Sequence, residues 1–207
     1  MKSKHIYSNH RLHCYVSLAL LVIFMLVVLV SWIVTSISYD VKMRSLISGE
    51  GIRWLCGNFV NNMLSPFLVW IILAGMVVDM MDKSGLPRAI LRFRRISVYE
   101  KMALWPVFIE ILLAFSAITY FAFIPHAVLL NSVGKLFPSS FSSFAIPFLE
   151  GVAILVSCTY GRIVGSFKGI YDMFKAGEEG IVGVSPYIIV YMLLCEVIHS
   201  VNWIFDI

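Results

Sequence analysis

The chain has 207 residues, of which 60% are apolar and 14% charged, where soluble chains average about 25% charged. With a mean hydropathy of +0.89, a water-facing globule is excluded and an all-α integral membrane protein is expected. The net charge of +4 does not indicate nucleic acid, because the basic residues lie between apolar runs and not on an aromatic-interleaved polar face.

The chain opens on a basic run, MKSKHIYSNHRLH, and then carries no charge for 26 residues from Cys14 to Tyr39. That length exceeds the apolar region of a cleaved signal peptide, about 7 to 15 residues, and Ser36-Ile37-Ser38 is a poor cleavage site. An uncleaved first transmembrane helix is therefore expected over 15–38. Trp54 to Val78 contains no Asp, Glu, Lys, Arg or His across 25 residues, enough for the ~20 that a helix needs to cross hydrocarbon. The second span is expected over 59–81, with Pro66 breaking or kinking it through loss of a backbone donor. Asn58, Asn61 and Asn62 line its start, and read either as helix caps at the membrane surface or as a polar lining for a substrate path.

Residues 82–101 are polar and basic, with Lys83, Arg88, Arg92, Arg94, Arg95 and Lys101. The segment reads as a loop held on its side of the membrane by charge, or as a surface for anionic lipid headgroups. A third span is expected over 102–124, with Pro106 in its first turn. A turn-rich stretch with Pro125, Gly134 and Pro138 follows, then a fourth span over 144–165. A mixed-charge loop ending Glu178-Glu179-Gly180 leads to a fifth span over 185–205. Twelve of the sixteen Lys and Arg fall on one side of this arrangement, which predicts about five transmembrane helices with the N-terminus inside. No internal repeat interrupts the expectation of a single membrane domain over 1–207.

The run Ser45-Leu46, Ser48-Gly49, Glu50-Gly51 and Arg53-Trp54, followed by a turn and an apolar helix that closes on Asp82-Lys83-Ser84-Gly85-Leu86, resembles the AbgT family. These are bacterial transporters linked to p-aminobenzoyl-glutamate and antimetabolite export. Leu136-Phe137-Pro138-Ser139-Ser140-Phe141 is similar to the family's run before a late helix. Tyr160-Gly161, Lys168, Tyr187-Ile188-Ile189-Val190 and Asn202-Trp203 are similar to its later landmarks in the same order. The matching blocks, about 41–95 and 130–205, cover some two-thirds of the chain.

Family members are much longer, with further helices and a re-entrant hairpin between these blocks and a second hairpin after Asn-Trp. Here residues 96–129 stand in the middle. The resemblance implies a secondary transporter of p-aminobenzoyl-glutamate or related compounds in a bacterial inner (cytoplasmic) membrane, as a shortened or partial unit with proton or sodium coupling. Its partners on this reading are the lipid bilayer, further copies of the chain, a small-molecule substrate and a chain supplying the missing hairpins. The absent hairpins favour a second reading, a small membrane scaffold or accessory protein that self-associates and does not transport alone.

Ionisable side chains within a span cost roughly 2.5–3.5 kcal/mol each on insertion, so each needs a partner or a purpose. Asp79 and Arg162 lie near span ends and read as boundary residues; Glu110 and Glu196 lie deeper. Glu196 and His199, spaced i, i+3, are expected on one helical face. Such a pair is half of a di-metal motif to which Glu110 and Glu150 could add carboxylates, but the second Glu-x-x-His is absent and no metal is expected. A proton relay or a hydrogen-bonded helix contact remain as readings.

The candidate substrate or proton pathway is Glu110, Glu196, His199, Asn202 and Trp203. Cys14, Cys56, Cys158 and Cys195 form no CxxC pair, so they read as apolar helix residues and not as zinc or redox ligands. Without a nucleophile elbow, P-loop, dinucleotide fingerprint or zinc-protease helix, neither an enzyme nor a cofactor is expected. Lys168, Tyr171 and Asp172 read as a solvated loop face or a ligand contact. No Lys or Arg lies deep in a span, so the chain alone is not expected to take up p-aminobenzoyl-glutamate, a dicarboxylate.

Overall fold

The computed structural model describes residues 10–37, 43–94, 97–123 and 140–206. Among these every regular element is helical: α1 (His10–Ile37), α2 (Gly49–Met63), α3 (Pro66–Ser84), α4 (Leu86–Leu91), α5 (Val98–Phe123), α6 (Ser140–Val164) and α7 (Ile170–Phe205). Helices α1, α5, α6 and α7 are long and apolar enough to cross a membrane, and α2–α3, bent by 45° at their break, count as a fifth span when taken together. The chain is an all-α, multi-pass membrane protein. The basic run over 1–9, Arg95, and the turn-rich stretch with Lys135 and most of the Leu136–Phe141 run lie outside the described residues.

Contacts divide the chain into two compact units, residues 1–68 with 185–207, and residues 69–184. In the first, the polar lead-in to α2 is tied down by small groups. Buried Ser31 donates its hydroxyl to the Val28 carbonyl at 2.8 Å and accepts the Leu46 N–H at 3.3 Å. Ser48 caps α2 by accepting the Gly51 N–H at 3.1 Å, which satisfies one of the free donors of a helix start. Gly51 is required there, since a Cβ would lie 2.6 Å from the Leu46 Cα. The break falls at Leu64 and Ser65, where Pro66 opens α3 and Ser65 Oγ accepts the Phe67 N–H at 3.3 Å. Proline at a first helical position loses no bond that the helix would have made.

The second unit is built on Leu86, Ala89, Ala103, Val107, Val156 and Tyr160, which form one buried cluster from α4, α5 and α6. Three expectations are corrected in it. The basic segment is not simply a loop: Leu86 and Ala89 are buried by the short helix α4. Helix α5 starts at Val98 because Ser97 and Glu100 form a reciprocal cap. The Glu100 N–H donates to Ser97 Oγ at 3.2 Å, and the Ser97 N–H donates to Glu100 Oε2 at 2.7 Å. Pro106 therefore sits inside α5 and not in its first turn. The mixed-charge stretch before residue 185 is helical as well, since α7 begins at Ile170. Asp172 Oδ2 accepts the Lys168 backbone N–H at 2.8 Å at that start, so Tyr171 and Asp172 belong to the first turn of α7 while Lys168 stays exposed on the loop before it.

Candidate functional site at a helix break

The polar groups of the first unit gather where the second span is broken. Asn62, in the last turn of α2, donates its side-chain amide to Glu196 Oε2 at 3.4 Å. Glu196 is only 7% exposed, and its Oε1 is buried without a protein partner. Two residues past α2, Ser65 Oγ and Tyr191 OH are 2.5 Å apart, and the Tyr191 hydroxyl also lies 3.3 Å from the Met63 carbonyl as its donor. A broken helix in lipid must satisfy its freed carbonyls internally, and Tyr191 does this from α7.

Further along the same two helices, Trp54 stacks on Trp203 with ring centroids 5.3 Å apart. Arg44 lies over the Trp203 ring at 5.7 Å and pairs with Asp206 at 3.0 Å. At ~1.5 Å rise per residue, Trp54 to Asn62 spans about 12 Å on α2 and Glu196 to Trp203 about 10.5 Å on α7. The two contacts are thus in register for antiparallel helices.

Of the residues expected to form a pathway, Glu196 and Trp203 lie on this seam. Asn202 is half-buried, and His199 is exposed. Glu196 and His199, at i, i+3 on α7, lie about 60° apart around the helix and are neighbours on its surface, with Glu196 buried in the seam and His199 exposed beside it. The cap reading of the asparagines is corrected. Asn58 donates back to the Trp54 carbonyl at 3.3 Å, and Asn62 is buried against Glu196. Glu110 belongs to the second unit, where its Oε1 accepts the Thr159 hydroxyl at 2.7 Å and its Oε2 has no protein partner.

No family model, curated protein or solved structure matches the chain. The chemistry must be read from the seam itself. A carboxyl group with one oxygen held by an amide and the other unpartnered can take up a proton or accept a hydrogen bond from a cationic or hydroxylic ligand. Tyr191 and Ser65 were not singled out in the sequence. The signal for them was Pro66, because a proline that frees a carbonyl in a membrane span requires a donor from elsewhere.

Proposed function

We propose that this chain is a shortened or partial unit of an AbgT-like secondary transporter of p-aminobenzoyl-glutamate or related compounds, with Glu196 handling the coupling proton. The observation that carries the reading is the buried, half-satisfied Glu196 carboxyl beside the broken α2–α3 span. Transporters place coupling sites on discontinuous helices, where irregular backbone offers groups that an intact helix keeps to itself. The stacking of Trp54 on Trp203 lends support, because it joins two of the landmarks on which the family resemblance rests. The setting on this reading is a bacterial inner membrane, with further copies of the chain, or one that supplies the hairpin the family carries between the two matching blocks, as partners.

The scaffold reading is favoured by a different observation. Among the described residues none of the buried ones is Lys or Arg, so a dicarboxylate finds no buried charge partner among them. The two readings separate in proteoliposomes under an imposed proton gradient, with a pH-sensitive dye inside and labelled p-aminobenzoyl-glutamate outside. The expected result is gradient dissipation by the wild type, its loss in Glu196→Gln, and no accumulation of substrate by the chain alone. Wild-type vesicles that hold the gradient as long as protein-free ones would establish the scaffold reading. Saturable uptake that disappears in Glu196→Gln would make the chain a self-sufficient transporter.

A further inference from the structure

In the second unit the ends of three helices converge around α4. The Ser166 hydroxyl donates to the Ser84 carbonyl at 3.1 Å, and the Tyr99 hydroxyl to the Ile163 carbonyl at 2.8 Å. These contacts join the last residue of α3, the first turn of α5 and the end of α6. Since α5 and α6 are each long enough to span the bilayer, their ends mark a membrane–water boundary.

A cavity of about 400 Å³ opens at that level, lined by Arg88, Arg92, Tyr160, Ser166 and Glu100 among others. Arg88 and Arg92 are spaced i, i+4, which places them on one side of α4. The helical bond from the Arg92 N–H to the Arg88 carbonyl, 3.0 Å, keeps that turn intact. The only acid on Arg88 among the described residues is Asp82, at 2.6 Å in a pair that is 70% and 66% exposed. An exposed pair of this kind contributes ~0–1 kcal/mol and yields readily to a better partner. Glu100 lines the cavity, but its Oε2 is committed to the Ser97 N–H and hydroxyl.

A second feature points to the membrane and not to a soluble anion. Ile90, Leu91 and Phe93 point out of the same short segment, Leu91 at 85% exposure and the other two more than half exposed, while Leu86 and Ala89 anchor it from below. A segment with buried anchors, exposed apolar residues and arginines on its flank lies in the interface plane, with its apolar residues in the headgroup–acyl boundary. Lys101 over the Phe93 ring at 5.7 Å adds a cation at that depth.

We propose that this cavity binds the phosphate of an anionic phospholipid headgroup, with Arg88 and Arg92 as its charge partners and the acyl chains running along the exposed apolar residues of α4. Arginine suits the role because its planar fork matches phosphate oxygens in pairs.

The test is titration of the purified full chain in mild detergent with short-chain phosphatidylglycerol, phosphatidylcholine or inorganic phosphate, followed by thermal shift and native mass spectrometry. Arg88→Gln/Arg92→Gln is compared with Lys168→Gln/Lys175→Gln, which removes the same charge elsewhere. Phosphatidylglycerol is expected to bind and stabilise the wild type, and phosphatidylcholine and phosphate are not. The arginine variant should bind it about thirtyfold more weakly, from ~1 kcal/mol per basic residue at a membrane surface, and the lysine variant should bind as the wild type does. A fall of less than about fivefold, equal losses in both variants, or equal stabilisation by free phosphate would overturn the proposal. Should the double variant fail to fold, Arg92→Gln alone, whose side chain is exposed, is compared with Lys168→Gln: a fall of about fivefold is expected, and an unchanged affinity or an equal loss in Lys168→Gln would overturn the proposal.

Discussion

Gly180 offers the sharpest test of the second unit. A Cβ built on Gly180 runs into the Gly75 carbonyl oxygen and lies 2.8 Å from the Gly75 carbonyl carbon and 2.9 Å from the Met76 Cα. Carbon atoms in good contact sit ~3.5–4.0 Å apart, so Gly180→Ala must drive two backbones apart by roughly 1 Å. Backbone cannot swing aside as a flexible side chain can, and overpacking of this kind costs ~1–3 kcal/mol. Alanine returns up to ~1 kcal/mol through its greater helix preference. The net expectation is a loss of ~0–2 kcal/mol or more, centred near 1, since both contacts are with backbone. Gly183 lies in the same helix, and a methyl group added to it would meet nothing within 4 Å, so Gly183→Ala should gain up to ~1 kcal/mol. Thermal unfolding of both variants in one detergent compares them directly. If Gly180→Ala matched or exceeded the wild type, α3 and α7 could not approach through bare backbone at this point.

Three other outcomes follow from the first unit and the span arrangement. Asn62→Leu leaves the Glu196 carboxyl without its amide and should cost ~1–3 kcal/mol; combined with Glu196→Leu the cost should shrink, and strict additivity in a denaturation cycle would show that the two side chains do not interact. Trp203→Leu removes a ring stack and the cation above it, for a loss of ~1–2 kcal/mol and a red shift of Trp54 emission, so an unchanged spectrum would contradict the stack. In a cysteine-free background, single cysteines at Ser3, Arg94 and Ser132 should label from the cytoplasm, the cytoplasm and the outside in that order. Arg94 suits the test because it is exposed, and cytoplasmic labelling at Ser132 would reverse the orientation.

The spans were legible because the bilayer imposes a length on each apolar run, and the break at Pro66 because proline lacks the donor that a helix needs. The helical turns beyond the hydrocarbon were not. In α4 and the first turns of α7, charges occur as densely as in a loop, and hydropathy alone cannot tell the two apart. The overlooked local signs were Lys175 and Glu179 at helical spacing and the Ser97–Glu100 cap. At the candidate site, Glu196 stood out because a carboxyl inside a span is costly. Its partner did not, since Asn62 lies 134 residues away and no local pattern links positions so distant. Ser65 and Tyr191 are joined in the same way, across 126 residues.

That separation also has a meaning in time. Between decoding of Asn62 and of Glu196 the ribosome must add 134 residues, which at ~5–20 residues per second takes roughly 7 to 27 s. Throughout that interval the Asn62 amide and the opened backbone at Met63 have none of their final partners from α7. Water or the insertion machinery must hold them meanwhile. The first unit therefore closes late, after every residue of the second has been made, and slow decoding anywhere between the two positions prolongs the exposure of an unfinished polar seam.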